Sequence, residues 1–124
     1  MDRYAMIALG GALGALARYE LAALIQARIP AGFPWGTFVV NISGCLVMGV
    51  VTTLLAERLL THPNWRFLIP IGFIGAYTTF STFELETFRA VTDGDWLIGG
   101  LNVVASVVAG YVALWLGVVL TRAM

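Results

Sequence analysis

The side chains best suited to chemistry in this sequence are neutral and lie within apolar stretches. Asn41 follows Thr37 by four residues, and Ser106 follows Asn102 by the same interval. On a helix this spacing places each amide on the same face as a hydroxyl. An amide in an apolar layer is costly unless it bonds across helices or lines a polar path, so the two pairs are candidates for the wall of a pore.

A pair of aromatic rings adds a third candidate element. Phe80 and Phe83 are three residues apart and occupy adjoining parts of one helical face. An aromatic ring has a negative face and a positive edge, so two edges turned towards a cavity attract a small anion without the full charge that would trap it. Such a pair alone is more typical of core packing. The anion interpretation therefore depends on the amides and hydroxyls converging on the rings.

The segment GFIGAYTTFSTFELETF, residues 72–88, combines glycines with a run of hydroxyl side chains. Pro70 and the glycines weaken a helix here, and the hydroxyls can satisfy the backbone groups that a break would release. One interpretation is a kinked helix whose hydroxyls bond to carbonyls one turn earlier. The other is an opened helix whose carbonyls could ligate a hard monovalent cation, or whose amides could favour an anion. The residues alone leave both open.

Charged side chains within the apolar stretches are few. Arg18 and Glu20 are two apart in the first stretch and therefore face different ways. Arg18 either raises the anion concentration at a pore mouth or extends to the membrane interface, and the structural role is favoured. Glu84 and Glu86 lie near the end of the third stretch. Solvated carboxylates at a helix end are the ordinary expectation for both.

The elements that must position these side chains follow from composition. The chain has 124 residues, of which 60% are hydrophobic and 11% charged, and its mean hydropathy is +0.89. These values indicate an all-α integral membrane protein with a single transmembrane domain over residues 1–124. Four apolar stretches are each near the roughly 20 residues that a helix needs to cross the hydrocarbon. They cover residues 4–25, 36–56, 67–88 and 96–120.

The rest of the composition sets limits on the class of protein. Cys45 is the only cysteine, so one subunit has neither a disulfide framework nor a cysteine metal site, and we interpret it as a packing residue. Seven arginines, no lysine and seven acidic residues give a net charge of zero, which does not suggest nucleic acid as a partner. Trp35, Trp65 and Trp96 each stand just ahead of a predicted span, where indole rings prefer the headgroup level of a membrane.

The arginine distribution indicates no strong orientation in the membrane. Either the termini lie in the cytoplasm or the chain inserts both ways round, in which case an antiparallel homodimer follows. Association is expected because four short helices hide few polar groups from lipid, and Gly10 and Gly14 form a small-xxx-small pair that permits close helix approach. The side of the two termini collects Arg3, Arg58, Arg66 and Arg122, and the opposite side has Arg28, Arg89 and, if its head reaches that way, Arg18.

Three blocks of sequence together resemble one family. GGALGALARY (residues 10–19), GTFVVNISG (residues 36–44) and GFIGAYTTFSTFELET (residues 72–87) are similar, in order and spacing, to the signature segments of the Fluc family of bacterial fluoride channels, also called CrcB proteins. The resemblance implies a passive, fluoride-selective channel in the bacterial plasma membrane that exports cytoplasmic fluoride and confers fluoride resistance. It also implies an antiparallel, dual-topology homodimer with two pores and a structural sodium ion (Na+) at its centre.

The resemblance also implies roles for individual residues. Gly75 and Thr78 would hold Na+ through their backbone carbonyls at the break in the third helix. Arg18, from the argument above, and Glu86, from the resemblance, are candidates for the pore mouth. Together with the amide and hydroxyl pairs, the residues of the fluoride path are Asn41, Phe80, Phe83, Ser81, Thr82, Thr37, Asn102 and Ser106.

The sequence departs from the family pattern in two places. Ala76 and Tyr77 stand where many members have two glycines, and the bulk of Tyr77 is expected to shift the break slightly. Gly110 and Leu114 stand where some members have hydroxyls. We therefore assign no role in the fluoride path to these two positions on the fourth helix.

The main alternative class is a proton-coupled small multidrug exporter, which is also a dimer of four-helix chains. Its chemistry requires a carboxylate in the first span that binds a proton and a cation in turn, and Glu20 is the only applicant. The neighbouring Arg18 would favour the ionised carboxylate and so oppose proton exchange. The exporter also leaves Asn41 and the paired rings unexplained. A purely structural assembly subunit is the remaining alternative.

Overall fold

The computed structural model describes residues 2–29, 32–57, 60 and 62–124, and every regular element within these ranges is helical. The all-α prediction is confirmed. Arg58, one of the arginines assigned to the side of the termini, lies outside the described residues. The elements in chain order are α1 (Arg3–Arg28), α2 (Trp35–Ala56), α3 (Asn64–Arg66), a π-helical stretch (Phe67–Ile74), α4 (Gly75–Tyr77), α5 (Phe80–Thr92) and α6 (Trp96–Arg122).

Three of these helices, α1, α2 and α6, are long and apolar enough to cross a membrane. They contain 26, 22 and 27 residues, and helices therefore occupy residues 4–25, 36–56 and 96–120, where spans are predicted. Trp35 and Trp96 open α2 and α6. Only 11% to 28% of the most apolar part of each helix is buried inside the chain. Most of their apolar surface therefore faces outwards, as lipid requires.

The third span is helical at both ends and broken in the middle. Helical structure runs through α3, the π-helical stretch and α4 as far as Tyr77, and it resumes at Phe80. Thr78 has φ −83° and ψ 154°, and Thr79 has φ −145° and ψ 119°, so both residues are extended. An opened helix is therefore present within residues 67–88, and not merely a kinked one.

The break lies beyond the proline and the glycines that were expected to weaken this helix. Pro70 is inside the π-helical stretch. Proline has no backbone N–H and displaces the carbonyl four residues earlier, and the wider π turn accommodates both effects. Gly75 is helical and opens α4. The helix opens only after Tyr77, at the first two hydroxyl residues of the run.

Glycines hold the first half of the third span against α1. Gly10 and Gly14 face the backbone of residues 68–73, and a Cβ atom on either glycine would collide with a carbonyl oxygen, that of Leu68 or of Phe73. The small-xxx-small pair thus permits close approach between two helices of one chain. We expected this pair to support association between subunits, and that expectation is corrected. The backbone of residues 68–73 of the same chain already occupies the space that a partner subunit would need.

A second glycine contact joins α2 to α6. Gly49 lies against the backbone of Leu114, and Gly117 lies against the carbonyl oxygen of Leu46. The contact is close because no side chain separates the two backbones. Nearer the start of α2, at Asn41, the two helices and α5 border a cavity. The glycine contact therefore fixes α2 and α6 and leaves room at their other ends.

Candidate functional site

The hydroxyls of Thr78 and Thr79 satisfy the backbone on both sides of the break. Thr78 Oγ1 donates to the carbonyl oxygen of Ile74 at 3.0 Å. Thr79 caps α5, because its Oγ1 accepts the backbone N–H of Thr82 at 3.2 Å and donates to Thr82 Oγ1 at 3.1 Å. A hydroxyl in this position replaces the partner that the first turn of a helix lacks. The hydroxyl run is thus the local reason that the helix can stop and restart.

Asn41 supplies the partners that Thr79 loses by leaving the helix. The N–H of Thr79 donates to Asn41 Oδ1 at 2.8 Å, and Asn41 Nδ2 donates to the carbonyl oxygen of Thr79 at 3.0 Å. One carboxamide therefore binds both backbone groups of an extended residue. This accounts for an amide at membrane depth, since it bonds across helices. It leaves one of the two N–H groups of Asn41 for another acceptor.

Arg18 contacts the break from the opposite helix. Its Nε donates to the carbonyl oxygen of Ala76 at 3.0 Å, across a separation of 58 residues. Ala76 is in the last helical turn before the break, where carbonyls have no intrahelical partner. The side chain therefore does not simply extend to the membrane interface, and its charge lies beside the break.

The two rings contact each other at the break, as their spacing predicted. The centroids of Phe80 and Phe83 are 5.8 Å apart and their planes are inclined by 43°. Phe83 is 6% exposed, whereas Phe80 is 76% exposed. Both rings line a cavity of about 300 Å³ together with Asn41 and Ser106. The rings and the amide predicted to converge are thus brought to one wall.

The two amide–hydroxyl pairs both face α5. Thr37 Oγ1 donates to Glu86 Oε1 at 2.7 Å, and Asn102 Nδ2 donates to Thr87 Oγ1 at 2.9 Å. Ser106 Oγ donates to Asn102 Oδ1 at 3.3 Å, which links the second pair. The polar faces of α2 and α6 therefore meet on the helix that follows the break.

These polar side chains line three adjoining cavities. Thr79 borders the first and the second cavity, and Glu86 borders the second and the third. Of the described residues, none that lines the first cavity is charged, while Arg18 and Glu86 both line the second. The volumes are about 300 Å³ at the rings, about 310 Å³ beside Thr37 and Thr82, and about 290 Å³ beside Arg89 and Asn102.

Glu86 differs from the solvated carboxylate that its place near a helix end suggested. Its side chain is half-buried. One oxygen accepts from Thr37, and the other is buried without a hydrogen-bond partner among the described residues. Arg18 lines the same cavity, which places a positive charge near this carboxylate. Glu86 therefore lies between two cavities that both carry charged side chains, one shared with Arg18 and the other with Arg89.

Some predicted residues are not brought into the cavities. Ser81 is exposed and lines none of the three cavities described above. Gly75 is the first residue of α4 and Thr78 follows its last, and no hydrogen bond within the described residues reaches their carbonyl oxygens. These two carbonyls are therefore available to a ligand, as a cation site would need.

Two contacts at the break were missed by sequence reasoning. Tyr77 and Ser43 join their hydroxyl oxygens at 2.8 Å, and Ser43 Oγ also donates to the carbonyl oxygen of Val40. Gly44 lies against the Thr78 methyl group, and a Cβ atom at this position would be 3.3 Å from the Tyr77 ring. The departure at Tyr77 was a signal, because a buried tyrosine usually needs a partner for its hydroxyl. Nothing in the sequence around Ser43, the partner on α2, indicated this contact.

The fold and the site define a class: a multi-pass helical membrane protein with a broken helix and polar side chains of neighbouring helices beside the break. Residues 5–118 match the family described as "CrcB-like protein, Camphor Resistance (CrcB)". The chain belongs to this family. The resemblance read from the three sequence blocks is confirmed.

Curated relatives cover nearly the whole chain. It is 53% identical to a protein of Solibacter usitatus over 97% of this chain and 98% of the relative. It is 49% identical to a protein of Acidobacterium capsulatum over 94% of both chains, and 44% identical to a protein of Geobacter sp. over 100% of both. All three relatives are named "Fluoride-specific ion channel FluC". These relatives are channels and not enzymes.

The family membership decides against the multidrug exporter and the assembly subunit. The structure adds a local reason against the exporter. Glu20 is exposed and lines none of the three cavities described above. A carboxylate that exchanges a proton for a substrate must face the substrate.

Proposed function

We propose that this protein is a fluoride-specific channel that lets cytoplasmic fluoride leave the cell passively and thereby confers fluoride resistance. The observation that carries the proposal is the match to fluoride channels at up to 53% identity over 97% of the chain. The protein then lies in the bacterial plasma membrane as a multi-pass protein. Its partners are fluoride, sodium, lipid and a second copy of itself, and nucleic acid has no part in the proposal.

The neutral cavity at the break suits a small, strongly hydrated anion. A pore must replace the water around such an ion with several donors, each weak enough to release it. The cavity offers the second N–H of Asn41, the Ser106 hydroxyl and the edges of the paired rings, and the residues described around it carry no charge. An arginine or lysine side chain that projected into this cavity would hold the ion too tightly.

The proposed fluoride path continues from the break along α5. Its lining combines the two ring side chains with amides and hydroxyls of three helices. Arg18 and Glu86 are proposed at the charged cavity, where the guanidinium draws anions in and the carboxylate keeps them from binding too strongly. The complete set for the path is Asn41, Phe80, Phe83, Ser81, Thr82, Thr37, Asn102 and Ser106, and Ser81 enters it only through the resemblance.

The dimer is the second part of the proposal. Phe80 is 76% exposed in one chain, although it lines the cavity at the break. A second copy over this ring would close the open side of that cavity. Because the arginines are almost evenly divided between the two sides, insertion both ways round and an antiparallel homodimer with two pores are consistent with the charge pattern.

A structural sodium ion at the dimer centre is the third part. Gly75 and Thr78 fit this role, since one lies in the last helical turn before the break and the other in the extended break itself, and neither carbonyl oxygen receives a hydrogen bond within the described residues. Unwound backbone carbonyls are known ligands of Na+ in membrane proteins. When bound, Na+ supplies a positive charge that holds backbone dipoles of two subunits together.

Fluoride efflux from liposomes tests the ring assignment. A fluoride electrode follows release from vesicles that contain purified wild-type, Phe80→Ile or Phe88→Ile protein. Phe88 is the matched control, because it lies on the same helix, is 65% exposed and lines none of the described cavities. Phe80→Ile is expected to abolish efflux while the dimer persists in size-exclusion chromatography, and Phe88→Ile is expected to leave it intact. Equal rates in all three proteins would remove the rings from the path.

The cation in the buffer tests the sodium assignment. Wild-type efflux is expected in sodium and is expected to fall when a bulky organic cation replaces sodium during purification and assay. Dissipation of the proton gradient is expected to change nothing, and Glu20→Gln is expected to conduct as the wild type does. A loss of all transport in Glu20→Gln would favour the exporter instead.

A further inference from the structure

We propose that Arg18 is a positioning residue that holds the helix break in the form whose free carbonyls bind sodium. The proposal rests on the proposed sodium site and deepens it. Arg18 bonds to neither carbonyl assigned to sodium. It acts through Ala76, which lies between Gly75 and Thr78 in the chain.

The contact of Arg18 is built into the helix packing. Its Nε donates to the carbonyl oxygen of Ala76 at 3.0 Å, and the side chain is half-buried. Gly14, one turn earlier in α1, lies directly against the backbone of Phe73. This backbone contact fixes α1 relative to the residues that precede the break. The guanidinium is therefore delivered to Ala76 by a rigid support.

The charge of Arg18 suits the end of a helix. The last carbonyls of a helix lack intrahelical partners and carry the negative end of its dipole. A guanidinium remains charged at all accessible pH values and makes strong, charge-assisted hydrogen bonds. Arg18 thus caps a single carbonyl, that of Ala76, and leaves the adjacent carbonyls to other ligands.

The carbonyls around the break are divided between different partners. That of Ile74 accepts from both the N–H and the hydroxyl of Thr78, and that of Ala76 accepts from Arg18. Without Arg18 the Ala76 carbonyl would be unpaired at membrane depth, where an unsatisfied group is costly. The last turn of α4 would then rearrange to satisfy it. Such a rearrangement moves the carbonyl of Gly75, which belongs to the same turn.

A second side chain holds the other side of the break. Asn41 on α2 binds both backbone groups of Thr79, while Arg18 on α1 binds the turn before it. The extended pair Thr78 and Thr79 is therefore fixed from two helices. Asn41 fixes the residue that leads into α5, and Arg18 fixes the last turn of α4, which contains the proposed sodium ligand Gly75.

Loss of Arg18 is expected to weaken sodium binding by a defined route. The apparent dissociation constant of a ligand rises in inverse proportion to the fraction of molecules in the competent form. A charge-assisted hydrogen bond is strong enough for its loss to lower that fraction about tenfold. The variant should then need about tenfold more sodium, and saturating sodium should restore the wild-type state. A residue that only stabilises the fold would not shift the sodium requirement.

The test follows the thermal unfolding temperature of the purified protein in detergent against sodium concentration, with N-methylglucamine as the replacement cation. A ligand that binds only the folded state raises this temperature by an amount that grows with ln(1 + c/Kd), where c is the ligand concentration, and the sodium midpoint is here the concentration equal to the fitted dissociation constant. Arg18→Met keeps an apolar stem but removes the charge and the Nε donor, and it is expected to move the sodium midpoint about tenfold higher. Arg28→Met removes the same charge from the last turn of α1. This control is expected to keep the wild-type midpoint.

Hydrogen exchange gives a second readout that needs no sodium. In sodium-free buffer, amides of residues 74–79 are expected to exchange faster in Arg18→Met than in Arg28→Met, because the turn at Ala76 loses its cap. If Arg18→Met does not fold, Arg18→Gln serves in both experiments, since its shorter, neutral side chain falls short of Ala76.

The outcomes separate this proposal from the one on which it rests. A wild-type protein whose unfolding temperature does not respond to sodium would contradict the sodium site itself. A responsive wild type together with an unshifted midpoint in the Arg18 variant would overturn the positioning role alone. Unchanged exchange at residues 74–79 in that variant would also overturn it.

Discussion

The two ends of α2 meet their neighbours in opposite ways. At one end Gly49 lies directly against the backbone of α6 at Leu114, with no side chain between them. At the other end Thr37 and Asn41 point polar groups at α5 and at the break, beside a cavity. One helix therefore carries both a rigid support and a polar wall. The polar end also has a glycine contact of its own, because Gly36 lies against the backbone of Ala22 on α1, so the comparison teaches that close backbone contacts hold α2 on both sides of its polar groups.

The largest effect is expected at the polar end. Asn41→Asp keeps the size of the side chain, but its second oxygen would face the carbonyl oxygen of Thr79, which now receives a hydrogen bond at 3.0 Å. The substitution also places a negative charge beside an anion path. Fluoride efflux from liposomes is expected to fall below detection, while size-exclusion chromatography still gives a dimer. Undiminished efflux would mean that the polar end does not form the path.

At the glycine end the expected effect is on stability. In Gly49→Ala the new Cβ would collide with the carbonyl group of Leu114, and backbone atoms cannot rotate away. Overpacking of this kind costs about 2–3 kcal/mol of unfolding free energy. Gly100→Ala on α6 is the matched control, because no neighbouring atom would lie within 4 Å of the new Cβ atom. Equal thermal stability of the two variants would show that the close contact is not what supports the polar end.

A smaller effect is expected further along the polar wall. Ser106→Ala removes a hydroxyl that lines the first cavity and donates to Asn102 Oδ1 at 3.3 Å. Such a bond contributes about 1 kcal/mol. The same loss of a donor from the proposed path would lower efflux about fivefold, and the unfolding temperature is expected to fall by a few degrees, less than in Gly49→Ala. An unchanged rate would mean that Ser106 is not part of the path, which would then be limited to the break and the rings.

The smallest effect is expected outside both regions. Arg122 and Glu57 form an ion pair at 3.5 Å between side chains that are 69% and 45% exposed. Exposed pairs contribute about 0–1 kcal/mol. Glu57→Gln is expected to leave efflux unchanged and to move the unfolding temperature by less than Gly49→Ala does. A loss of efflux in this variant would mean that the polar wall is coupled to the far end of α2.

The helices and the direction of the polar faces could be predicted from the sequence. Long apolar stretches fix α1, α2 and α6 because each must cross lipid with its backbone bonded internally. The four-residue spacing of Thr37 and Asn41 fixes a shared face, and both side chains do bond to the third span. These features depend on local periodicity alone, which a sequence displays directly.

The place of the break could not be predicted to the residue. It lies after Tyr77, and the partners that stabilise it are Arg18, 58 residues from Ala76, and Asn41, 38 residues from Thr79. Such contacts depend on how helices pack, and packing is not written in the local pattern. For the same reason Gly10 had no visible destination until the third span was placed against it.

The central claim is that neutral donors and ring edges at the break select a small anion. The most direct measurement loads liposomes with both fluoride and chloride and follows the release of each ion through the wild-type protein with ion-selective electrodes. The account predicts rapid loss of fluoride with chloride retained. Release of both ions at similar rates, or of neither, would contradict it.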